Sequence, residues 1–366
     1  MEDASGLWGM LMGMPVVTRT GLAGLIIGAM LGAVMHRTNF CTMGSLSDIN
    51  AFGDWRRFRA WVLAMATAIL LTQAMQFMGY LDLNESIYLG SSFNWLAFIV
   101  GGLVFGIGMV FASGCGAKNL IRVGGGDLKG LIVVIVVGVT AYMTLRGLIA
   151  PLRVWLNDIA VIDMTDLGGN TGLHSLLEAF TGLQNGTAAI TGTLVLALPM
   201  LAFCFLNRDF RTSPRNIIAG LAIGVLVAAA WWTTGVLGYD DFEPAPLFAL
   251  NFVSPVGNSL QYLMTWTGAS ISFGITTVFG MILGSFLSSL LAGQFRLGGF
   301  ADTNDLIRHL IGGVMMGAGA VTSLGCTIGQ GVSGISTLAL GSVLALLAII
   351  AGGFIGFKAL ERGFLL

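Results

Sequence analysis

A glycine-rich motif ending in Gly-Cys occurs twice in this chain, 211 residues apart, each time within an apolar run. The shared frame is GG-x3-G-x-G-x-V-x3-G-C, starting at Gly101 and at Gly312, with 7 identities over the 19 positions from Gly101 to Asn119. Because glycine lets a backbone leave the helix, each copy predicts a helix that breaks just before a thiol, at Cys115 and at Cys326. Duplicated broken helices inside hydrocarbon are typical of a transport path at a repeat interface.

A third cysteine, Cys41, belongs to a second and weaker duplication. Its segment is Asn39-Phe40-Cys41-Thr42-Met43-Gly44, and the spacing of Gly44, Asp48 and Asn50 recurs at Gly298, Asp302 and Asn304. The two halves are unequal, since Gly44 precedes Cys115 by 71 residues whereas Gly298 precedes Cys326 by 28. We therefore expect either an inserted helix in the first half or segments that dip into the membrane without crossing it. Asp48 and Asp302 are predicted to cap short helices.

The composition excludes an ordinary soluble domain. Hydrophobic residues make up 55% and charged residues 10%, with a mean hydropathy of +0.87, whereas soluble domains are about 25% charged. The 54 glycines indicate close helix packing within lipid. A net charge of −1 argues against nucleic acid as a partner. Metal-type Cys/His spacing is absent from the sequence, so we expect neither a metal nor another cofactor, and no enzymatic role.

Apolar runs of about 20 residues predict an all-α polytopic membrane protein with about nine transmembrane helices. The predicted spans are 20–37, 58–79, 94–112, 129–149, 187–206, 216–237, 268–291, 306–323 and 340–360. Residues 1–366 are expected to form one integral membrane domain without a cleaved signal peptide. Within it, 20–147 would be the first repeat, 150–262 a connecting region with helices near 187–206 and 216–237, and 268–360 the second repeat.

Basic residues predict the orientation. They follow the odd-numbered spans: Arg37, Arg56, Arg57, Arg59, Lys118, Arg122, Lys129, Arg208, Arg211, Arg215, Arg296, Lys358 and Arg362. Acidic residues dominate the connections that follow the even-numbered spans: Asp82, Glu85, Asp158, Asp163, Asp166, Asp240, Asp241 and Glu243. Arg146 and Arg153 are the exceptions to this alternation. This pattern puts the N-terminus outside and the C-terminus in the cytoplasm. The Cys115 and Cys326 breaks would then open toward opposite sides, as in an inverted pseudo-two-fold repeat.

The two breaks offer mostly neutral hydrogen-bond donors. Residues predicted to line a substrate path with Cys41, Cys115 and Cys326 are Gly114, Gly116, Lys118, Asn119, Gly325, Thr327 and Gln330. A helix that restarts after a break presents free N–H groups and partial positive charge, which favours an anion. Because sulfur is soft and polarisable, thiols favour a sulfur-containing anion such as thiosulfate. Sulfide, persulfide and selenium oxyanions remain open, and Cys204 is interpreted as a packing residue.

The chain resembles the YeeE/YedE family of sulfur-compound transporters over roughly 20–147 and 268–360. Three segments carry the resemblance: the one around Cys41, Gly106 to Cys115, and Gly317 to Gly331. The resemblance implies uptake of thiosulfate across the bacterial inner membrane. It also implies nine transmembrane helices with re-entrant helices, an inverted-repeat hourglass, and three cysteines, matching Cys41, Cys115 and Cys326, that pass the ion by S–H hydrogen bonding. We expect any TusA-like sulfurtransferase partner to be a separate protein.

A second class of function stays open. In this alternative, the cysteines form persulfides or disulfides and relay sulfur, or a signal, to a cytoplasmic sulfurtransferase. Covalent relay needs an activated thiolate beside a base or cation. Cys115 has Lys118 three residues on, whereas Cys41 and Cys326 have no such neighbour in sequence, which favours non-covalent handling. The chain has no Walker A motif, so we expect that it does not use ATP.

Overall fold

The computed structural model describes residues 13–164, 169–181, 185–240 and 245–363. The predicted acidic-side residues Asp166, Asp241 and Glu243 lie outside the described residues. The described chain is helical, with one pair of three-residue antiparallel strands, β1 and β2. This agrees with the predicted all-α polytopic class.

The elements follow one another as α1 Val16–Thr38, α2 Thr42–Phe52, α3 Arg56–Phe77, β1 Ser92–Asn94, α4 Trp95–Phe111, α5 Gly116–Gly124, α6 Leu128–Arg146, α7 Ala150–Ile159, β2 Val161–Asp163, α8 Leu173–Thr181, α9 Asn185–Phe205, α10 Arg208–Arg211, α11 Pro214–Trp232, α12 Ser254–Met264, α13 Phe273–Leu291, α14 Thr303–Thr322, α15 over residues 327–336, and α16 Leu340–Glu361. The middle of α15, Gly329–Gly334, is wound as a π-helix.

Each of the nine predicted spans coincides with a long helix of the described chain. Eight stretches of these helices are long and apolar enough to cross a bilayer. The remaining helix, α14, falls short because Asp305, Arg308 and His309 stand in its first two turns. Asp305 accepts from Lys129 Nζ at 2.6 Å and from Arg308 Nη2 at 3.1 Å, so these charges are paired at one end of the helix.

The glycines of the duplicated motif bring α4 and α14 into backbone contact. A methyl group on Gly101 would lie 2.8 Å from the Gly319 carbonyl oxygen, and one on Gly319 would lie 2.6 Å from the Gly101 oxygen. Gly108 and Gly312 make the same reciprocal contact, at 2.8 and 2.7 Å. The two helices therefore cross antiparallel, and small residues are required at the crossing. The motif thus encodes helix packing as well as the breaks.

The remaining long helices pack in corresponding pairs. Gly102 and Gly106 of α4 lie against α16, while Gly313 and Gly317 of α14 lie against α6. In a second pair of contacts, α1 packs on α13 and α11 packs on α3, again through glycines. A two-fold relation between the halves would give these contacts. The bounds of the two repeats remain a prediction.

The second sequence duplication does not produce equivalent structures. Gly44, Asp48 and Asn50 all lie within α2, where Asp48 accepts from Arg57 Nη1 at 2.8 Å instead of capping a helix. Gly298, by contrast, lies in an extended segment, and its carbonyl accepts from Leu128 N at 2.9 Å. Asp302 does cap a helix, α14, by accepting from Asp305 N at 2.7 Å. The prediction was therefore right for Asp302 and wrong for Asp48, because spacing alone does not specify the backbone.

Candidate functional site

All three predicted path cysteines follow the same local backbone. A residue in the left-handed region ends a long helix two positions before each cysteine: Asn39 (φ 56°), Ser113 (φ 55°) and Leu324 (φ 59°). The cysteine then precedes the first residue of a short helix, α2, α5 or α15. Non-glycine residues adopt this conformation only when the surrounding structure fixes it. Each thiol therefore stands at a helix N-terminus.

The glycine before each duplicated cysteine closes the preceding helix. Gly114 N donates to the Met109 carbonyl at 2.9 Å, and Gly325 N donates to the Ala320 carbonyl at 2.7 Å. These bonds form the pattern of a Schellman helix end. A side chain at Gly114 would also lie 3.1 Å from Lys118 Cγ. The Gly-Cys ending of the motif is thus needed to stop one helix and start the next.

Two predicted path residues, Asn119 and Gln330, hold the breaks together. Asn119 Nδ2 donates to the carbonyls of Gly114 and Cys115 at 2.9 and 3.1 Å. Gln330 Nε2 donates to the Ser323 carbonyl at 2.5 Å, and its Oε1 accepts from Ser342 Oγ at 2.6 Å. Both side chains are fully buried. Their amide donors already have backbone partners, so their role in this geometry is to fix the shape of each break.

The breaks bring two of the predicted thiols, those of Cys41 and Cys115, together. The side chains of Cys41 and Cys115 interact directly, and Thr327, beside Cys326, faces Cys115. The Thr327 hydroxyl is buried and has no hydrogen bond of standard geometry. Cys326 Sγ accepts from Gly329 N at 3.4 Å. All three cysteines are at most 4% exposed, so their thiols are buried in this structure.

Positive charge lies on one side of the cluster. The Lys118 ammonium group donates to Asn39 Oδ1 at 2.5 Å and interacts electrostatically with both Cys41 and Cys115. Arg57 binds the Asn39 carbonyl at 2.8 Å. At the other break, the position equivalent to Lys118 is Gly329.

A tyrosine hydroxyl stands near the uncharged break. Tyr88 is buried and lies within electrostatic range of Cys326, and its hydroxyl has no hydrogen-bond partner in the described structure. Its ring packs edge-on against Trp231, with the ring centres 6.2 Å apart. Cys204, in contrast, lies on α9, where its Sγ donates to the Arg59 carbonyl at 3.2 Å.

Sequence reasoning missed one element of the site. Residues 245–262 fall in the predicted connecting region, 150–262, yet residues 249–253 are fully buried beside the breaks. Asn251 lies against Gly329, Val253 lies against Gly116, and the Phe252 N–H points at Cys326. The burial of part of this region beside the breaks was therefore not predicted. The available signal was the likeness of Asn251-Phe252-Val253-Ser254 to Asn39-Phe40-Cys41-Thr42.

A buried cluster of thiols, hydroxyls and helix N-termini suits a small anion that must be held by neutral donors and then released. Two known proteins are similar to this chain. The chain is 28% identical to the thiosulfate transporter TsuA of Escherichia coli (strain K12) over 326 residues, which is 85% of this chain and 86% of the relative. It is 26% identical to the thiosulfate transporter TsuA of Spirochaeta thermophila over 338 residues, covering 90% and 96% of the two chains.

A family model described as sulphur transport matches residues 37–355, which include all three thiol-bearing breaks and the buried segment around Val253. Together with its polytopic helical fold, this match shows that the chain belongs to the sulphur transport family, known as YeeE/YedE.

Proposed function

We propose that this protein carries thiosulfate into the cell across the bacterial inner membrane. The observation that carries the proposal is the burial of three cysteines, each at the start of a short helix, with Cys41 beside Cys115 and with Thr327, the residue after Cys326, facing Cys115. Both relatives described above are named thiosulfate transporters. The anion would be held at the cluster by S–H groups, by the Thr327 hydroxyl and by the first N–H groups of α2, α5 and α15.

The charge distribution supports an inward direction. With the N-terminus outside and the C-terminus in the cytoplasm, the Cys326 break faces outward, and Lys118 and Arg57 lie on the cytoplasmic side of the thiols. An anion would enter past neutral donors and leave beside a cation. Moving a dianion inward against a negative-inside membrane potential costs an electrical free energy of about 2.3 kcal/mol per charge for each 100 mV. We therefore propose a facilitated path that is drained by consumption of thiosulfate inside the cell.

Non-covalent handling fits the contacts better than a covalent relay. Cys326 Sγ accepts an N–H hydrogen bond within its own break. Lys118, the cation that interacts with Cys41 and Cys115, is already bound to Asn39 Oδ1. The thiols would thus donate hydrogen bonds to the passing anion and keep their protons. In this view the protein is not an enzyme, and a separate TusA-like sulfurtransferase would receive sulfur only after transport.

The contact between Cys41 and Cys115 favours one alternative, a thiol relay or sensor that passes sulfur or a signal to such a partner. Mass spectrometry of the purified protein after incubation with thiosulfate separates the two ideas. A sulfur adduct on Cys41, Cys115 or Cys326 would support the relay, whereas unmodified cysteines support non-covalent passage.

The direct test of the proposal is uptake of labelled thiosulfate by cells that express the chain and lack other thiosulfate importers. Unlabelled sulfate, sulfide and selenite serve as competitors. We expect thiosulfate to compete far better than sulfate, because the oxygens of the two anions are alike and only the terminal sulfur differs. If sulfide or selenite competed more strongly than thiosulfate, the cluster would still be the binding site, but its preferred substrate would be that competitor. Absence of uptake above that of cells without the chain would contradict the proposal.

A further inference from the structure

The buried segment before α12 matches the Cys41 break in sequence and is here named the fourth break, although its backbone differs: Val253 is helical (φ −91°, ψ −57°) where Cys41 is extended (φ −162°, ψ 131°). Asn251-Phe252-Val253-Ser254 lies 212 residues after Asn39-Phe40-Cys41-Thr42, with identical Asn-Phe pairs and a hydroxyl residue in the fourth place. Each segment leads into a helix of 11 residues, α2 or α12. In both halves a long helix follows, then a glycine-rich helix and a Gly-Cys break. In sequence and in element order, Val253 therefore corresponds to Cys41 of the first half.

The contacts of the two segments correspond as well. Asn39 touches Lys118, the third residue after Cys115, through a hydrogen bond of 2.5 Å. Asn251 touches Gly329, the third residue after Cys326, since a methyl group on Gly329 would lie 3.0 Å from Asn251 Cγ. Each asparagine thus packs on the first turn of the short helix that follows a Gly-Cys break. The four breaks meet in two corresponding pairs.

The fourth break differs from the others in its chemistry. Val253 is fully buried, and its Cγ2 would lie 3.4 Å from a methyl group on Gly116, the residue after Cys115. It presents methyl groups where Cys41 presents a thiol. Pro255 at the second position of α12 also removes one of the free N–H groups that a helix start normally offers.

We propose that Val253 forms the apolar fourth wall of the anion constriction and is a specificity-determining residue that favours thiosulfate over sulfate. This inference rests on the proposed function. Sulfate presents oxygen in every direction, and an oxygen pressed against methyl groups loses its hydrogen bond to water without a replacement. The terminal sulfur of thiosulfate is a weaker acceptor and more polarisable. It therefore loses less when it lies against Val253.

The test is Val253→Thr, which keeps the side-chain shape and replaces one methyl group by a hydroxyl. We expect sulfate to inhibit labelled thiosulfate uptake by this variant at about one tenth of the concentration needed for the wild type, because a donor now faces the anion. Val256→Thr is the matched control: Val256 is buried in the same helix turn but packs on Gly138 of α6. It should leave the sulfate competition unchanged.

Equal sulfate competition in Val253→Thr, Val256→Thr and the wild type would overturn the inference while leaving the proposed function intact. Absence of thiosulfate uptake in the wild type would overturn both. Membrane content and size-exclusion profile show whether each variant folds. If Val253→Thr fails to fold, Val253→Cys serves as the second test, because it introduces a thiol donor of the kind that Cys41 has. We expect a shift in the same direction, and an unshifted competition curve again contradicts the inference.

Discussion

The two Gly-Cys breaks share a backbone and differ in what surrounds the thiol. At both, a left-handed residue ends the helix, a glycine N–H closes it, and a carboxamide holds the turn. Around Cys115 stand a second thiol, Cys41, and the Lys118 ammonium group. Cys326 instead has the neutral neighbours Gly329 and Tyr88. The shared glycines thus give the two breaks the same backbone. Single side-chain differences make the Cys115 break charged and the Cys326 break neutral.

The largest expected effect tests what the breaks have in common. Replacing Cys115 or Cys326 by alanine should abolish thiosulfate uptake, because each change removes the soft S–H donor from a buried cluster. Cys115→Ser and Cys326→Ser should retain at most part of the rate, since serine keeps a donor but loses the polarisable sulfur. Initial rates of labelled uptake, normalised to the amount of protein in the membrane, provide the measurement.

Cys204→Ala is the control for these variants, because Cys204 is a buried cysteine whose thiol bonds the Arg59 carbonyl. It should transport like the wild type. Normal uptake by the alanine variants of Cys41, Cys115 and Cys326 would show that the thiols have no part in transport.

The second prediction tests the difference in charge. Lys118→Met should lower uptake about tenfold at low thiosulfate concentration, equivalent to about 1.4 kcal/mol, because the dianion loses the cation that interacts with both thiols. The loss should appear mainly as a raised KM and should shrink at high ionic strength. Lys358→Met, which removes a positive charge near the end of α16, is the matched control. Equal effects of the two changes would show that only overall charge matters.

The sequence predicted the shared part of the site better than its differences. Glycine spacing encodes close helix contact and helix ends, both local properties, so the breaks at Cys115 and Cys326 were predictable from the duplication. The burial of Val253 beside the breaks was signalled only by the likeness of its segment to Asn39-Phe40-Cys41-Thr42, because an apolar side chain by itself carries no chemical sign of a path. The prediction that Asp48 caps a helix was wrong because its carboxylate accepts from Arg57. That contact depends on how α2 packs against α3, which the local sequence does not specify.

The third prediction concerns the carboxamides that hold the two breaks. Asn119→Leu and Gln330→Leu should each lower the free energy of unfolding by about 1–3 kcal/mol, the cost of an unpaired buried polar group. Gln330→Leu should cost more, because it leaves both the Ser323 carbonyl and the Ser342 hydroxyl without this partner. Thermal unfolding in detergent micelles measures the change. Wild-type stability together with lost uptake would instead place these side chains on the anion itself.

The smallest expected effect separates stability from transport at one hydroxyl. Thr327 stands in the break where the first half has Gly116, and its buried hydroxyl has no hydrogen bond of standard geometry. Removing an unsatisfied buried hydroxyl is neutral or stabilising. Thr327→Val should therefore leave the melting temperature unchanged or raise it slightly. Uptake should nevertheless fall about threefold, equivalent to about 0.7 kcal/mol, because the passing anion loses a donor that faces Cys115.

Thr72→Val provides the comparison for this last effect. Thr72 on α3 is also fully buried with a hydroxyl that has no hydrogen-bond partner in the described structure. Its loss should change stability in the same way and leave uptake at the wild-type rate. A fall in uptake that is the same for both variants would mean that Thr327 has no contact with the anion. A fall confined to Thr327→Val would show that the neutral break holds its ligand with a hydroxyl as well as a thiol.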